Sequence, residues 1–180
     1  GEILCWNVDT DSALVQGRHE GYLPNTGIVH IRTVKLLYGR FFLIHDILDA
    51  TKAGEDHVAK WSIHCPGELC EMDGRAVLAD GLMCIVPAWP ERVTTIEFGA
   101  RGKAVWPADS EDGCTDVHRR LYHARWHAPV KAGSTQQFLM FAGPDDGPVS
   151  IGRTCVEKEQ MIVEVSWRGV TDTVRIPVIR

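Results

Sequence analysis

The sequence predicts an all-β fold: a large antiparallel β-sandwich of about a dozen strands in two stacked layers. Apolar and polar residues alternate with a period of two along most of the chain, and no segment has the apolar spacing of a long helix. Turn-forming stretches such as Met72-Asp73-Gly74 and Gly143-Pro144-Asp145 separate the alternating segments. Short strands joined by tight turns are typical of antiparallel sheets.

The C-terminal hairpin is the clearest local prediction. Residues 161–167 alternate in polarity, and residues 170–178 do so again after Arg168-Gly169. A two-residue turn at Arg168-Gly169 gathers the apolar side chains on one face. The register then pairs Trp167 with Val170, Val163 with Val174, and Met161 with Ile176.

A second hairpin is predicted around the turn Tyr38-Gly39-Arg40. A two-residue loop would set Val34 opposite His45, which mixes polar and apolar side chains on one face. A three-residue loop is preferred because it keeps the apolar side chains together and sets Arg32 opposite Asp46. The neighbouring pairs are then Val34 with Ile44 and Leu36 with Phe42.

The rest of the chain is predicted to continue as short strands without a domain boundary. Residues 107–118 are expected to form a long, mobile loop. Because no repeat, low-complexity tract or linker divides the sequence, residues 1–180 are predicted to form one domain. The abrupt start at Gly1-Glu2-Ile3-Leu4 favours a fragment of a longer chain. The further strands are predicted at 3–8, 12–18, 56–64, 75–79, 82–87, 92–98, 103–106, 121–127, 135–142 and 149–156.

Composition and charge limit the function classes. The net charge is −5, with 44% hydrophobic and 24% charged residues, which is an ordinary globular composition. No basic face is visible for a nucleic-acid partner, and no apolar run is long enough for a membrane span.

Cysteine and histidine spacing favours neither disulfides nor a metal site. The six cysteines are irregularly spaced, so free thiols are expected. His123 and His127 could share a zinc ion on a helix, but residues 121–127 are predicted to be a strand, where positions four apart are separated by about 13 Å. His57 and His64 fall on opposite faces of their strand. No metal ion and no other cofactor is expected.

His30, Arg32 and Asp46 form the polar cluster that the hairpin register brings to one face. An arginine directly opposite an aspartate can make a bidentate, charge-assisted contact. The cluster serves either as a structural ion pair that fixes the register of the two strands or as a ligand site. The structural role is preferred, because a buried pair specifies register more than it adds stability.

Two of the six tryptophans are candidates for stacking on a sugar ring or for contact with another domain. Trp89 lies next to Pro90 and Trp106 precedes Pro107, so both stand in loop-like sequence. Trp61 and Trp167 alternate in phase with apolar neighbours and are predicted to lie in the core.

No catalytic residue is predicted from motifs. The sequence lacks G-x-S-x-G, a phosphate loop, a dinucleotide fingerprint and C-x-x-C. Acid–base catalysis needs a base, an acid and a group that stabilises the charge that develops. Residues of these types are present, but no spacing gathers them.

Residues 18–66 resemble the region downstream of the active site in the heparinase II/III-like polysaccharide lyases. That region has an aromatic residue after a histidine, a His-x-Arg strand, a hydrophobic strand ending in Asp, and a strand that opens with His and closes with His-x-Pro. The resemblance covers residues 12–98, and the rest of the chain shares the strand-rich character. The matching residues are His19 and Tyr22, His30 and Arg32, Phe41 to Asp46, and His57 to Pro66.

The resemblance implies a non-catalytic part of such an enzyme. In the family, an α/α toroid supplies a Tyr and a His. The β domain adds a His-x-His-x-Asp segment, an Asp-Pro-Gly and a His-Asn for the catalytic and metal centre. None of these segments of the β domain is present here, and His30-Ile31-Arg32 corresponds to the later, non-catalytic strand. No catalytic residue carries over.

The expected function is therefore that of a C-terminal β-sandwich module in a bacterial polysaccharide lyase. The parent enzyme would degrade a uronate-containing glycan, a glycosaminoglycan or alginate, by β-elimination, from a periplasmic or secreted location. The expected partners are the toroid domain and, as a weaker expectation, the acidic polysaccharide. The alternatives are a free-standing carbohydrate-binding or adhesion sandwich and, with least support, an enzyme complete in itself.

Overall fold

Antiparallel strands make up almost all the regular structure. The structure, a computed structural model, describes residues 1–65, 67–78, 81–89, 95–106 and 117–178. The predicted all-β class is confirmed. A helix of one turn, α1 (Leu23–Thr26), follows the second strand. The strands are β1 (Glu2–Val8), β2 (Ser12–His19), β3 (Val29–Leu37), β4 (Phe41–Asp49), β5 (His57–Cys65), β6 (Leu69–Met72), β7 (Arg75–Leu78), β8 (Cys84–Trp89), β9 (Thr95–Trp106), β10 (Val117–Val130), β11 (Thr135–Gly143), β12 (Val149–Glu157), β13 (Gln160–Trp167) and β14 (Val170–Pro177).

Eight of these strands form a central sheet in the order β1-β2-β3-β4-β11-β8-β7-β6. The first four are joined in sequence, whereas β11 returns from far along the chain to lie between β4 and β8. Two smaller sheets have the orders β5-β10-β9 and β12-β13-β14. We call the face of the central sheet that packs on β13 the β13 side, and the opposite face the β5 side.

The two small sheets cover opposite sides of the central sheet, so the molecule has three layers where two are predicted. On the β13 side, Leu43 and Phe141 pack against Val163 in one core. On the β5 side, Phe138 packs against Trp126 in a second core. Strand β11 serves both cores because its residues from Phe138 to Gly143 are buried on both faces, as expected for a strand with a layer above and a layer below.

Both predicted hairpin registers are confirmed. The turn at Arg168-Gly169 has two residues, and Trp167, Val163 and Met161 face the partners expected on β14. The turn between β3 and β4 has three residues, 38–40, and Arg32 lies directly opposite Asp46. The β3–β4 register fixes which side chains of the central sheet meet at the site.

Several strand limits differ from the prediction. Strand β9 is continuous where two strands are expected. Strand β6 is not predicted, because only Leu69 of its four residues is buried and no alternation marks it. The predicted loop at 107–118 falls mostly outside the described residues, but Val117 and His118 already belong to β10. The segment between β2 and β3 contains the one-turn helix α1.

No disulfide joins the described cysteines, which are Cys5, Cys65, Cys70, Cys84 and Cys155. In the part of the chain that the structure describes, no helix has both the length and the apolar character needed to cross a bilayer.

Candidate functional site

The polar cluster is assembled by the β3–β4 hairpin. Because strand side chains alternate between faces, His30 and Arg32 point to the same side of β3. The three-residue turn sets Asp46 of β4 opposite Arg32 on that side. The three predicted residues therefore meet on the β5 side of the central sheet.

Asp46 accepts four hydrogen bonds. Its Oδ1 accepts from His30 Nε2 at 2.6 Å and from Arg32 Nε at 2.7 Å. Its Oδ2 accepts from Arg32 Nη2 at 2.9 Å and from Trp61 Nε1 at 2.7 Å. The Arg32 contact is the bidentate pair that the register predicts. With only 3% of its side chain exposed, Asp46 has little solvent contact that could replace these donors.

The electrostatics keep Asp46 ionised. Burial is the largest influence and acts to raise the pKa of the Asp46 carboxyl, but the hydrogen bonds from His30 and Arg32 outweigh it, so that the pKa lies below its ordinary value. The same contact with Asp46 raises the pKa of the Arg32 guanidinium. The pair is thus a carboxylate and a guanidinium that hold each other in their charged forms.

Trp61 is the member of the cluster that the sequence does not reveal. It is predicted to lie in the core and does so, with 6% of its surface exposed and its ring against Trp126. Its indole N–H nevertheless crosses from β5 to the central sheet to reach Asp46, and the Arg32 guanidinium lies 5.9 Å from its ring centre. A buried indole needs a hydrogen-bond acceptor. That requirement is the one signal in the sequence that indicates a polar partner for Trp61.

A cleft of about 480 Å³ opens beside the cluster, between β3, α1 and β5. Arg32 reaches it with 45% of its side chain exposed, and Lys60 stands exposed on the β5 wall. The aromatic rings of Tyr22 and His30 lie 6.3 Å apart at one end. The remaining walls are mainly apolar and include Ile28, Leu48, Ala59, Val130 and Phe138.

The other predicted site residues do not join this cluster in any described contact. Trp89 and Trp106 are the last residues of β8 and β9, and their side chains lie outside the described part of the structure. Their stacking or contact role stays a prediction. His123 and His127 stand on strand β10 as predicted. Among the described residues, no group of three or more His, Cys, Asp or Glu side chains is arranged as a metal site.

Comparison with protein-family models and with curated proteins finds no match to this sequence. Comparison with solved structures finds the same fold in heparinase III, with a TM-score of 0.66 at 18% identity. Heparan sulfate lyase HepC from Pedobacter heparinus has a TM-score of 0.66 at 18% identity, and another heparinase III gene product has a TM-score of 0.68 at 12% identity.

The match is nearly complete for this chain and partial for the others. It covers 98% of this chain and 27% of heparinase III, and 99% of this chain and 28% of HepC; for the third structure the shares are 97% and 27%. This chain therefore has the fold of a piece that makes up about a quarter of those longer chains. At these identities the likeness establishes the fold.

Proposed function

We propose that this chain is a non-catalytic β module of a heparinase-like polysaccharide lyase, in the C-terminal part of the parent enzyme, where it supports the catalytic domain. One observation carries the proposal: the shared fold takes up 98% of this chain but only 27% of heparinase III. A fold that is nearly complete in the small chain and a fraction of the large one is the relation expected of a module.

The chemistry of the polar cluster supports a structural role for it. β-Elimination requires a base that removes the proton next to the uronate carboxylate, while the bond to the leaving sugar oxygen breaks and a double bond forms. Asp46 is buried, and four donors occupy its oxygens. A carboxylate with a lowered pKa and no open lone pair is a poor base. His30 directs Nε2 to the same carboxylate.

The proposal assigns the activity to the parent enzyme. We expect the 180-residue chain to release no unsaturated uronate from heparan sulfate, whereas the intact protein that the gene encodes releases it. The measurement is ultraviolet absorbance of the unsaturated product, with alginate as a second substrate and heat-treated protein as the blank. A steady rise in absorbance with the 180-residue chain alone would contradict the non-catalytic role of this chain. An intact protein that leaves every uronate glycan uncut would contradict the proposed lyase activity of the parent enzyme.

A carbohydrate-binding module is the second candidate, and the cleft is the observation that favours it. Arg32 gives its mouth a cationic group, Lys60 stands exposed on the β5 wall, and Tyr22 adds an aromatic ring. Such a set can hold a sulfated or carboxylated sugar. A module of this class would bind heparan sulfate oligosaccharides as the isolated chain in titration calorimetry. Lys60→Ala on β5 would weaken that binding, whereas Lys158→Ala, in the exposed turn between β12 and β13, would leave it unchanged.

A further inference from the structure

The β5 side of the central sheet is covered over only part of its width. The core under sheet β5-β10-β9 contains Phe138 of β11, Ile85 of β8 and Leu69 of β6, which pack against Trp61 and Trp126. Strand β10 thus lies over the β6 end of the central sheet, and β5 lies near β3 and β4. Strands β1 and β2 extend beyond this cover.

The uncovered part of the β5 side is apolar. The register sets Trp6, Val15, Val34 and Ile44 in one cross-strand row, and Val8, Ala13, Leu36 and Phe42 in the next. Ile44 is the border residue, because it also packs against the covered core. Trp6 is 74% exposed, Val8 58%, Phe42 43% and Val15 42%. A sheet face with two adjacent apolar rows and no polar residue between them is the kind of surface that another layer covers. We call these two rows the open rows.

Among the described strands, one edge of β5 is unpaired, and it runs beside β3, the strand that carries Val34 and Leu36 of the open rows. Within the described residues, β5 pairs with β10 and with no other strand. The cleft is lined on one wall by every residue of β5 from 57 to 62, and on the other by His30 and Arg32 of β3. The cleft therefore runs along the β5 edge, where backbone N–H and C=O groups can form hydrogen bonds with another strand.

A strand added to this edge would continue an interface that already exists. It would extend sheet β5-β10-β9 by about 4.8 Å toward β2 and would lie about 10 Å above the central sheet, the ordinary spacings of strands and layers. Its inward side chains would then cover the open rows as those of β5 cover Leu48 and Phe138. Arg32 and Lys60 at the cleft favour an acidic residue on the incoming strand.

We infer that the β5 edge and the open rows together form the docking surface for a β-strand from the remaining polypeptide of the parent enzyme. The inference rests on the proposed function, because the matched structures have nearly three quarters of their chains outside the shared fold. The strand has apolar side chains on one face and pairs with β5 through its backbone. Docking of this kind attaches the module to the rest of the enzyme.

Hydrogen exchange tests the inference. We expect the amides of residues 57–62 that point away from β10 to exchange about tenfold more slowly in the intact protein than in the 180-residue chain, because the added strand would hold them in hydrogen bonds. The alternate amides face β10 in both forms and should not change. Val15→Lys in the open rows should return the protected amides of the intact protein to the faster rate. Val170→Lys is the matched control, since Val170 is 54% exposed on β14, away from the open rows. In the 180-residue chain both variants should keep the melting temperature of the parent sequence.

The outcomes separate this inference from the proposed function. Equal exchange of residues 57–62 in both forms would overturn the docking surface, even if the intact protein cleaves heparan sulfate. Slower exchange in an intact protein that cleaves no glycan would support the docking surface and contradict the proposed lyase activity of the parent enzyme. Protection that arises in the 180-residue chain together with a dimer mass in light scattering would assign the surface to a second copy. Protection that arises on adding heparan sulfate oligosaccharide would assign it to a glycan, and either result overturns the inference.

Discussion

At the scale of single residues, Asp46 organises the candidate site. It accepts hydrogen bonds from two residues of β3 and from Trp61 of β5, so one buried carboxylate links the central sheet to the layer above it. The pairing with Arg32 could be predicted because it follows from the turn between two adjacent strands. The bond from Trp61 could not, since it depends on how a separate sheet packs and Trp61 alternates in phase with core residues.

Asp46→Ala should lower the free energy of unfolding by about 3 kcal/mol, because it leaves three donor side chains without their buried acceptor. The measurement is urea unfolding at neutral pH. Asp172→Ala is the matched control: Asp172 also accepts two hydrogen bonds from an arginine, Arg40, but is 22% exposed, and its arginine is 30% exposed. That change should cost about 1 kcal/mol or less. Equal losses for the two variants would contradict the organising role of Asp46.

At the scale of elements, the hairpins follow from local sequence. The β13–β14 turn uses Arg168 and Gly169, both with positive φ, at 52° and 74°, which is the two-residue turn that matches the twist of the strands. Alternation on either side then decides the register, so the sequence predicts it. Strand β6 gives no such signal. It forms through backbone pairing with β7, and three of its four residues are exposed, so no alternation of apolar and polar residues marks it.

Gly169→Ala should destabilise the protein by about 1 kcal/mol, because alanine resists positive φ. A Cβ at this position meets no atom within 4 Å, so the loss would come from backbone strain alone. Gly54→Ala is the control: it also has free space around it and lacks a positive φ, and it should change stability by less than about 0.5 kcal/mol. Thermal unfolding of the two variants measures the difference. If Gly169→Ala leaves the stability of the protein unchanged, the turn relaxes to another type.

At the scale of the whole molecule, the three layers depend on non-local pairing. Strand β11 lies between β4 and β8, and no local rule predicts that order. The sequence does contain one sign of a third layer, the unbroken apolar run from Phe138 to Ala142, which is typical of a strand buried on both faces. In most other strands apolar and polar residues alternate because only one face is buried, and this pattern predicts a sandwich of two layers.

Both cores should contribute to one cooperative transition, since β11 belongs to both. Phe138→Ala on the β5 side and Phe141→Ala on the β13 side should each cost about 3–5 kcal/mol, because these rings are 2% and 0% exposed. Phe42→Ala, with its ring 43% exposed in the open rows, should cost about 1 kcal/mol. Urea unfolding followed by circular dichroism and by tryptophan fluorescence should give coincident curves for all three. Separate transitions would mean that the layers unfold independently.

The position of β11 also governs what happens while the chain is being synthesised. Strand β4 acquires its second neighbour only when residues 135–142 leave the ribosome, long after β4 itself has emerged. At about 5–20 residues per second this leaves an unpaired, strongly apolar β4 edge for several seconds. We therefore expect nascent chains of this protein to be prone to aggregation through that strand until β11 pairs with it.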